Sequence, residues 1–148
     1  MFDVRVRDVM ARRKLVSARP GIPVARAAKL MAAKGVGALL VVEGSELLGI
    51  FTERDALMRV IAPGLDPKTT TLADVMTRAP KTIGPQESFG RALLVMHENN
   101  FRHLPVVEKG VPVGILSARY ALDPELEEFT SEVRRREFLR GPAKSQSR

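Results

Sequence analysis

The chain has 148 residues, 45% hydrophobic, 28% charged and 5% aromatic, with a formal net charge of +7. Its length suits one compact domain or two very small ones packed together, and its apolar share argues against wholesale disorder. The absence of cysteine excludes disulfides, thiol catalysis and cysteine-ligated zinc, and two histidines leave little room for a histidine-rich metal site.

The longest clean apolar run, Val36 to Val42, is far too short to span a membrane. The charged start is not followed by a long apolar stretch, so no secretory signal is read. No membrane insertion is expected, and the expected location is the cytoplasm. The charge is local. Residues 1–34 hold nine basic side chains against Asp3 and Asp8, whereas 35–120 and 121–148 are each neutral. Apart from Phe2, no aromatic groups interleave with the basic ones, as a nucleic-acid platform usually requires. A nucleic-acid partner is therefore the less favoured use of the charge, beside a solvated basic face.

Shifting the sequence by 65 residues superposes its halves. Between Pro20–Arg54 and Pro85–Arg119, 11 of 35 positions are identical, where chance gives about two. One residue of slippage also aligns Asp8-Val9-Met10 with Asp74-Val75-Met76. The chain is a tandem duplication.

In chain order, each unit opens with the Asp-Val-Met segment. A brief apolar strand follows, Leu15-Val16 or Thr82-Ile83, ended by Pro20 or Pro85. Val24, Ala27, Ala28 and Met31 then mark one helix face, with Gly35 as its stop. Phe89, Ala92, Leu93 and Met96 repeat that spacing, ending at Asn99 and Asn100. Two strands come next, Ala38–Glu43 and Leu47–Phe51, joined by Gly44-Ser45. Their counterparts are Leu104–Glu108 and Val111–Leu116, joined by Lys109-Gly110; both gaps are hairpin length. A second helix runs from about Glu53 to Ile61, with Thr52 as cap and Asp55 at N3.

The predicted boundaries are 5–62 and 72–120 for the repeats and 63–71 for the linker. An amphipathic helix follows over 123–140, opened by Asp123-Pro124 and striped by Leu126, Phe129 and Val133. Residues 141–148 read as a disordered tail. Units of about 60 residues bury little surface alone. The expected fold is therefore α+β, two repeats packed sheet to sheet with pseudo-twofold symmetry and two related clefts, plus the C-terminal helix.

The unit resembles the CBS domain, named after cystathionine β-synthase, and the tandem resembles a CBS pair, or Bateman module. The resemblance rests on the Asp8 and Asp74 openings, the doubled Val-Val-Glu strand ends, Gly49-Ile-Phe-Thr-Glu-Arg-Asp55 and Phe101-Arg-His-Leu-Pro-Val106. It implies a regulatory module that binds an adenosine-containing ligand such as AMP, ATP, NAD or S-adenosylmethionine, with no required cofactor. It also implies a homodimer, which the C-terminal helix would reinforce, and leaves room for a protein partner.

The family's Gly-x-x-Thr-x-x-Asp pattern maps to Thr52 and Asp55, the Asp accepting from ribose hydroxyls and the Thr contacting phosphate or ribose. A carboxylate has acceptor oxygens enough for a ribose diol, and a helix N-terminus favours phosphate. Thr-x-x-Asp is also close to a capping box, and both roles can hold together. The resemblance further implies phosphate contacts from Arg102 and His103. Lys14 and Arg19, within the basic segment, flank the first strand and are placed to supply phosphate charge. The resemblance also implies adenine-pocket roles for Val16, Ala18, Ala38 and Ile50, each of which also suits plain core. Arg54 and Arg119 occupy equivalent positions on the second helices. In the second unit Ser117 keeps the hydroxyl, but Tyr120 replaces the Asp, so at most one full-affinity site is expected.

No enzyme is read. Gly35-x-Gly37 lacks the rest of a phosphate fingerprint, there is no Gly-x-Ser-x-Gly or HExxH, and Glu53 and Asp55 make no evident dyad. His97, inside the helical pattern, reads as structural.

Overall fold

The computed structural model describes residues 3–10, 15–118 and 132–139. The first repeat begins with the short helix α1 (Val6–Val9), followed by β1 (Ser17–Ala18), α2 (Val24–Lys34) and the hairpin β2 (Ala38–Glu43) and β3 (Glu46–Thr52). The next helix, α3, starts as a single α-turn at Glu53–Asp55 and widens to a π-helix over Ala56–Ile61. The second repeat contributes α4 (Leu72–Val75), β4 (Thr77–Arg78), α5 (Phe89–Glu98), β5 (His103–Glu108) and β6 (Val111–Ser117). Residues 132–139 are helical, and this C-terminal helix is named α6. The rest of the 123–140 expectation, and 141–148, lie outside the described residues.

Both hairpins use two-residue turns, at Gly44-Ser45 and Lys109-Gly110. Lys109 and Gly110 both have positive φ, 50° and 78°, as the twist of a tight hairpin demands. Helix α2 stops at Gly35, whose φ of 63° is the left-handed conformation glycine adopts without penalty.

The four-stranded sheet runs β1-β2-β3-β4, and β5-β6 form a two-stranded sheet. The first strand of repeat 1 lies just after the expected Leu15-Val16. In repeat 2 it shrinks to an isolated bridge, Ile83 to Val106. A residue difference accounts for the shrinkage. Leu40 donates its N–H to Val16 at 3.0 Å, whereas its counterpart Pro105 has no N–H to donate. The two sheets meet through Ala38, Leu40 and Ile50, against which Ile115 packs from the other repeat.

The short helices are exchanged. Leu72, Val75 and Met76 belong to the core of Val24, Ala27, Met31, Leu39 and Phe51 in repeat 1. Val6 is buried with Phe89, Ala92, Met96 and Leu104 in repeat 2. Equivalent backbone bonds fasten each exchange. Leu72 N donates to Ile22 and Ala73 N to Pro20; Val6 N donates to Glu87 and Arg7 N to Pro85.

The linker is fastened too. Pro23, the N-cap of α2, has no capping side chain, and the first helical N–H groups donate instead to the carbonyls of Thr70 and Pro67 at 2.9 Å.

The exchange also explains why the Asp-Val-Met and Gly-Ile signatures occur together. A Cβ on Gly49 would lie 2.7 Å from Met76 Sδ, and one on Gly114 would lie 2.8 Å from Met10 Sδ. Each methionine occupies the space that a side chain on the other repeat's strand would fill.

Candidate functional site

Between the repeats lies a cleft of ≈ 1000 Å³. One wall is the junction of β3 and α3. Thr52 is extended and caps α3. Its hydroxyl accepts from Asp55 N at 3.2 Å, while Thr52 N and Oγ1 donate to Asp55 Oδ2 at 3.0 and 3.2 Å. The capping box expected as one role of this pair is therefore formed. Asp55 is only 8% exposed. Its other oxygen, Oδ1, lies 3.6 Å from Arg59 Nε. Among the described residues, Oδ1 accepts no hydrogen bond.

The facing wall comes from the second repeat. Lys81, Asn99, Arg102 and His103 line it. His103 is half-buried; burial holds its imidazole below the usual range, Glu53 pulls it back up, and Arg102 pushes it down. Gly37 lets these two walls approach. A Cβ there would fall 2.9 Å from Glu53 Oε1 and 3.4 Å from His103 Nε2. The cleft is thus mixed in charge: Arg54, Lys81 and Arg102 are exposed cations, Glu53 is an exposed acid, and Asp55 is partnered by Arg59. Such a surface has cations for an anion and carboxylates to accept hydroxyl hydrogens.

Six of the sequence-expected residues converge here: Ile50, Thr52, Arg54, Asp55, Arg102 and His103. Val16 and Ala18 are partly buried and pack against the core of repeat 1. Ala38 is buried where the sheets meet, and Ser117 is buried at the end of β6. Arg19 is exposed beyond β1. Lys14 and Arg119, with Tyr120, lie outside the described residues.

His97, read as structural, is exposed and lines the cleft. Sequence reasoning missed Gly37, Arg59 and Lys81. The spacing of Arg59 four residues after Asp55 could have flagged it, since such pairs share a helix face. Among the described residues, no helix is long and apolar enough to cross a membrane. Nor do any three His, Asp or Glu side chains there cluster to hold a metal.

The CBS domain model matches residues 6–62 and 72–123. The chain belongs to the CBS domain family. The meiotically up-regulated gene 70 protein of Schizosaccharomyces pombe is 45% identical over 92 residues, covering 62% of this chain and 13% of that protein. A CBS-domain protein of Burkholderia ambifaria superposes with a TM-score of 0.78 at 30% identity, covering 84% of this chain and 95% of that one. A CBS domain protein of Pyrobaculum aerophilum, solved complexed with AMP, superposes at 0.73 with 26% identity, covering 79% and 89%. The chain spans between 13% and 55% of the length of the first three curated relatives it matches. Two CBS repeats, exchanged at their short helices, thus frame a cleft with a capped, nearly buried carboxylate.

Proposed function

We propose that this CBS pair is a regulatory sensor that binds an adenosine-containing ligand, of the AMP, ATP, NAD or S-adenosylmethionine class, in the inter-repeat cleft. The observation that carries this reading is Asp55. Its carboxylate is almost buried, one oxygen is held by Thr52, and the other faces the cleft with, among the described residues, only the Arg59 guanidinium beside it, at 3.6 Å, beyond hydrogen-bond range. Ribose hydroxyls satisfy such an oxygen, while Arg54, Lys81 and Arg102 supply charge for phosphate. The AMP complex of the Pyrobaculum relative supports the choice of ligand class.

The working unit in this reading is a homodimer whose geometry, or contact with a protein partner, responds to occupancy. Leu57, Met58 and Ile61 support self-association, being exposed together on α3. The ligand acts by binding one dimer arrangement more tightly than another.

The test is a thermal shift with each of the four ligands. At a hundredfold excess over Kd, a ligand adds about 2.7 kcal/mol of stability. Asp55→Ala abolishes the shift in this reading, and calorimetry gives one full-affinity site per chain. A shift unaffected by Asp55→Ala, or two equal sites, refutes it. Salt-sensitive oligonucleotide binding that ignores Asp55→Ala would move the function to the basic N-terminal segment, residues 1–34, in which Arg26, Lys29 and Lys34 are exposed on α2.

A further inference from the structure

Asp55 can serve a ribose only if its carboxylate is held at the right angle, and Thr52 fixes one oxygen alone. The other, Oδ1, has Arg59 Nε at 3.6 Å. Among the described residues, Arg59 is the one cation within ion-pair reach of Asp55. Its guanidinium is itself anchored. Nη1 donates to the carbonyls of Val75 at 3.2 Å and Met76 at 3.1 Å. Those carbonyls lie at the C-terminal end of α4, where a helix leaves its acceptors unpaired and favours a cation.

The anchor is firm, because Val75 and Met76 are buried in the repeat 1 core and Met76 fills the space over Gly49 on β3. Thr52, which grips Oδ2, ends that same strand. Arg59 lies in the π-helical stretch, a form of helix frequent at functional sites.

We infer that Arg59 is a positioning residue for the Asp55 carboxylate: held by the exchanged helix α4, it aims Oδ1 at the ribose hydroxyls. The inference rests on the ribose reading of Asp55 given above. It explains why one arginine spans two repeats. It also makes the segment contributed by the second repeat part of the binding apparatus of the first.

The test compares AMP with 2′,3′-dideoxy-AMP, which lacks the hydroxyls, by calorimetry on the full chain. Hydrogen bonds from two hydroxyls to a carboxylate should favour AMP roughly ten- to hundredfold. Arg59→Gln ends where Nε sits, so it removes both the Nη1 donor to the α4 carbonyls and the charge beside Oδ1. It should weaken AMP several-fold, leave dideoxy-AMP near its native affinity, and so shrink the ratio. Equal weakening of both nucleotides, or no change, gives Arg59 a merely structural role and overturns the inference. Should Arg59→Gln fail to fold, Arg59→Lys is read by the same ratio, since its ammonium lacks the guanidinium fork. Asp55→Asn separates the two levels. If it leaves the native ratio intact, or if AMP does not bind the native protein, the ribose reading itself falls, and the role of Arg59 falls with it. If Asp55→Asn removes the ratio and both Arg59 variants preserve it, only the role of Arg59 is lost.

Discussion

In the first repeat β2 carries Leu40, and in the second β5 carries Pro105 at the equivalent place. The first repeat thereby keeps a two-residue parallel ladder to β1, and the second keeps a single bridge. The openings differ as well. Thr71 N donates to Asp74 Oδ2 at 2.9 Å, capping α4, while the equivalent Arg5 gives α1 no side-chain cap. Asp8 meets Arg7 at the surface instead, at 3.9 Å. At the strand ends, Thr52 and Asp55 close a capping box, whereas Tyr120 stands in sequence where Asp55 has its counterpart. Duplication therefore preserved the apolar contacts that fold the pair and let the polar groups diverge. Packing constrains both copies alike, while a ligand needs one complete set of acceptors.

The exchanged helices give the most severe test of that symmetry. Leu72 and Val6 are equivalent and both fully buried, one in each core. Leu72→Ala should cost about 2–5 kcal/mol, and denaturant unfolding measures it. Val6→Ala removes less side chain and should cost less. Amide exchange should report the loss from Leu72→Ala first in α2 and β3 of the other repeat, and that from Val6→Ala first in α5. Loss confined to the mutated repeat's own strands would contradict the exchange.

The two glycines should respond unequally. A Cβ on Gly49 meets the Thr77 carbonyl oxygen at 2.8 Å as well as Met76, whereas on Gly114 the close neighbour is the flexible end of Met10. Gly49→Ala is expected to cost about 1–3 kcal/mol and Gly114→Ala visibly less, as read from paired thermal melts. Next comes the cap. Thr52→Ala removes the hydroxyl that accepts from Asp55 N and should cost about 1 kcal/mol. It should weaken nucleotide binding too, because it frees Asp55 Oδ2 from one of its two donors.

A small effect should come from His103, which the first repeat does not duplicate. Its imidazole is held below its ordinary value of 6.5, chiefly by burial. Below that pH the unfolded chain takes up a proton more readily than the folded one. Stability is therefore fully present above about pH 6.5 and is lost as pH falls toward the lowered value. His103→Gln should flatten the pH dependence of Tm between 7.5 and 5.5. Bound phosphate, by favouring the charged imidazole, should oppose the loss.

Much of this architecture could be read in the sequence because it is written twice. Helices α2 and α5 follow from apolar spacing, both hairpins from short gaps between apolar runs, and the α3 cap from Thr52 and Asp55. What could not be read is what depends on distant parts of the chain. Nothing local in Leu72-Ala-Asp-Val75 says that it packs in the other repeat, since its apolar positions suit either core. The widening of α3 to a π-helix has no signature in Ala56–Ile61. The cleft is half legible: Thr52 and Asp55 sit in one motif, but Lys81 and Asn99 come from separate segments that only the packing of two sheets brings opposite them. Val16 and Ala18 are small apolar residues that fit an adenine pocket or a core equally well, and both are partly buried against the repeat 1 core.

The crossing of α1 and α4 carries a consequence for the autonomy of each half. A single repeat expressed alone would hold a helix shaped for another copy's core and lack one for its own. Two such fragments could satisfy each other only as a swapped pair, at the mercy of concentration. The linker between them converts that bimolecular exchange into an intramolecular one, at effective concentrations on the order of millimolar. Residues 63–71, tied back onto α2 through Pro67 and Thr70, thus act less as a spacer than as the covalent seam of an internal dimer.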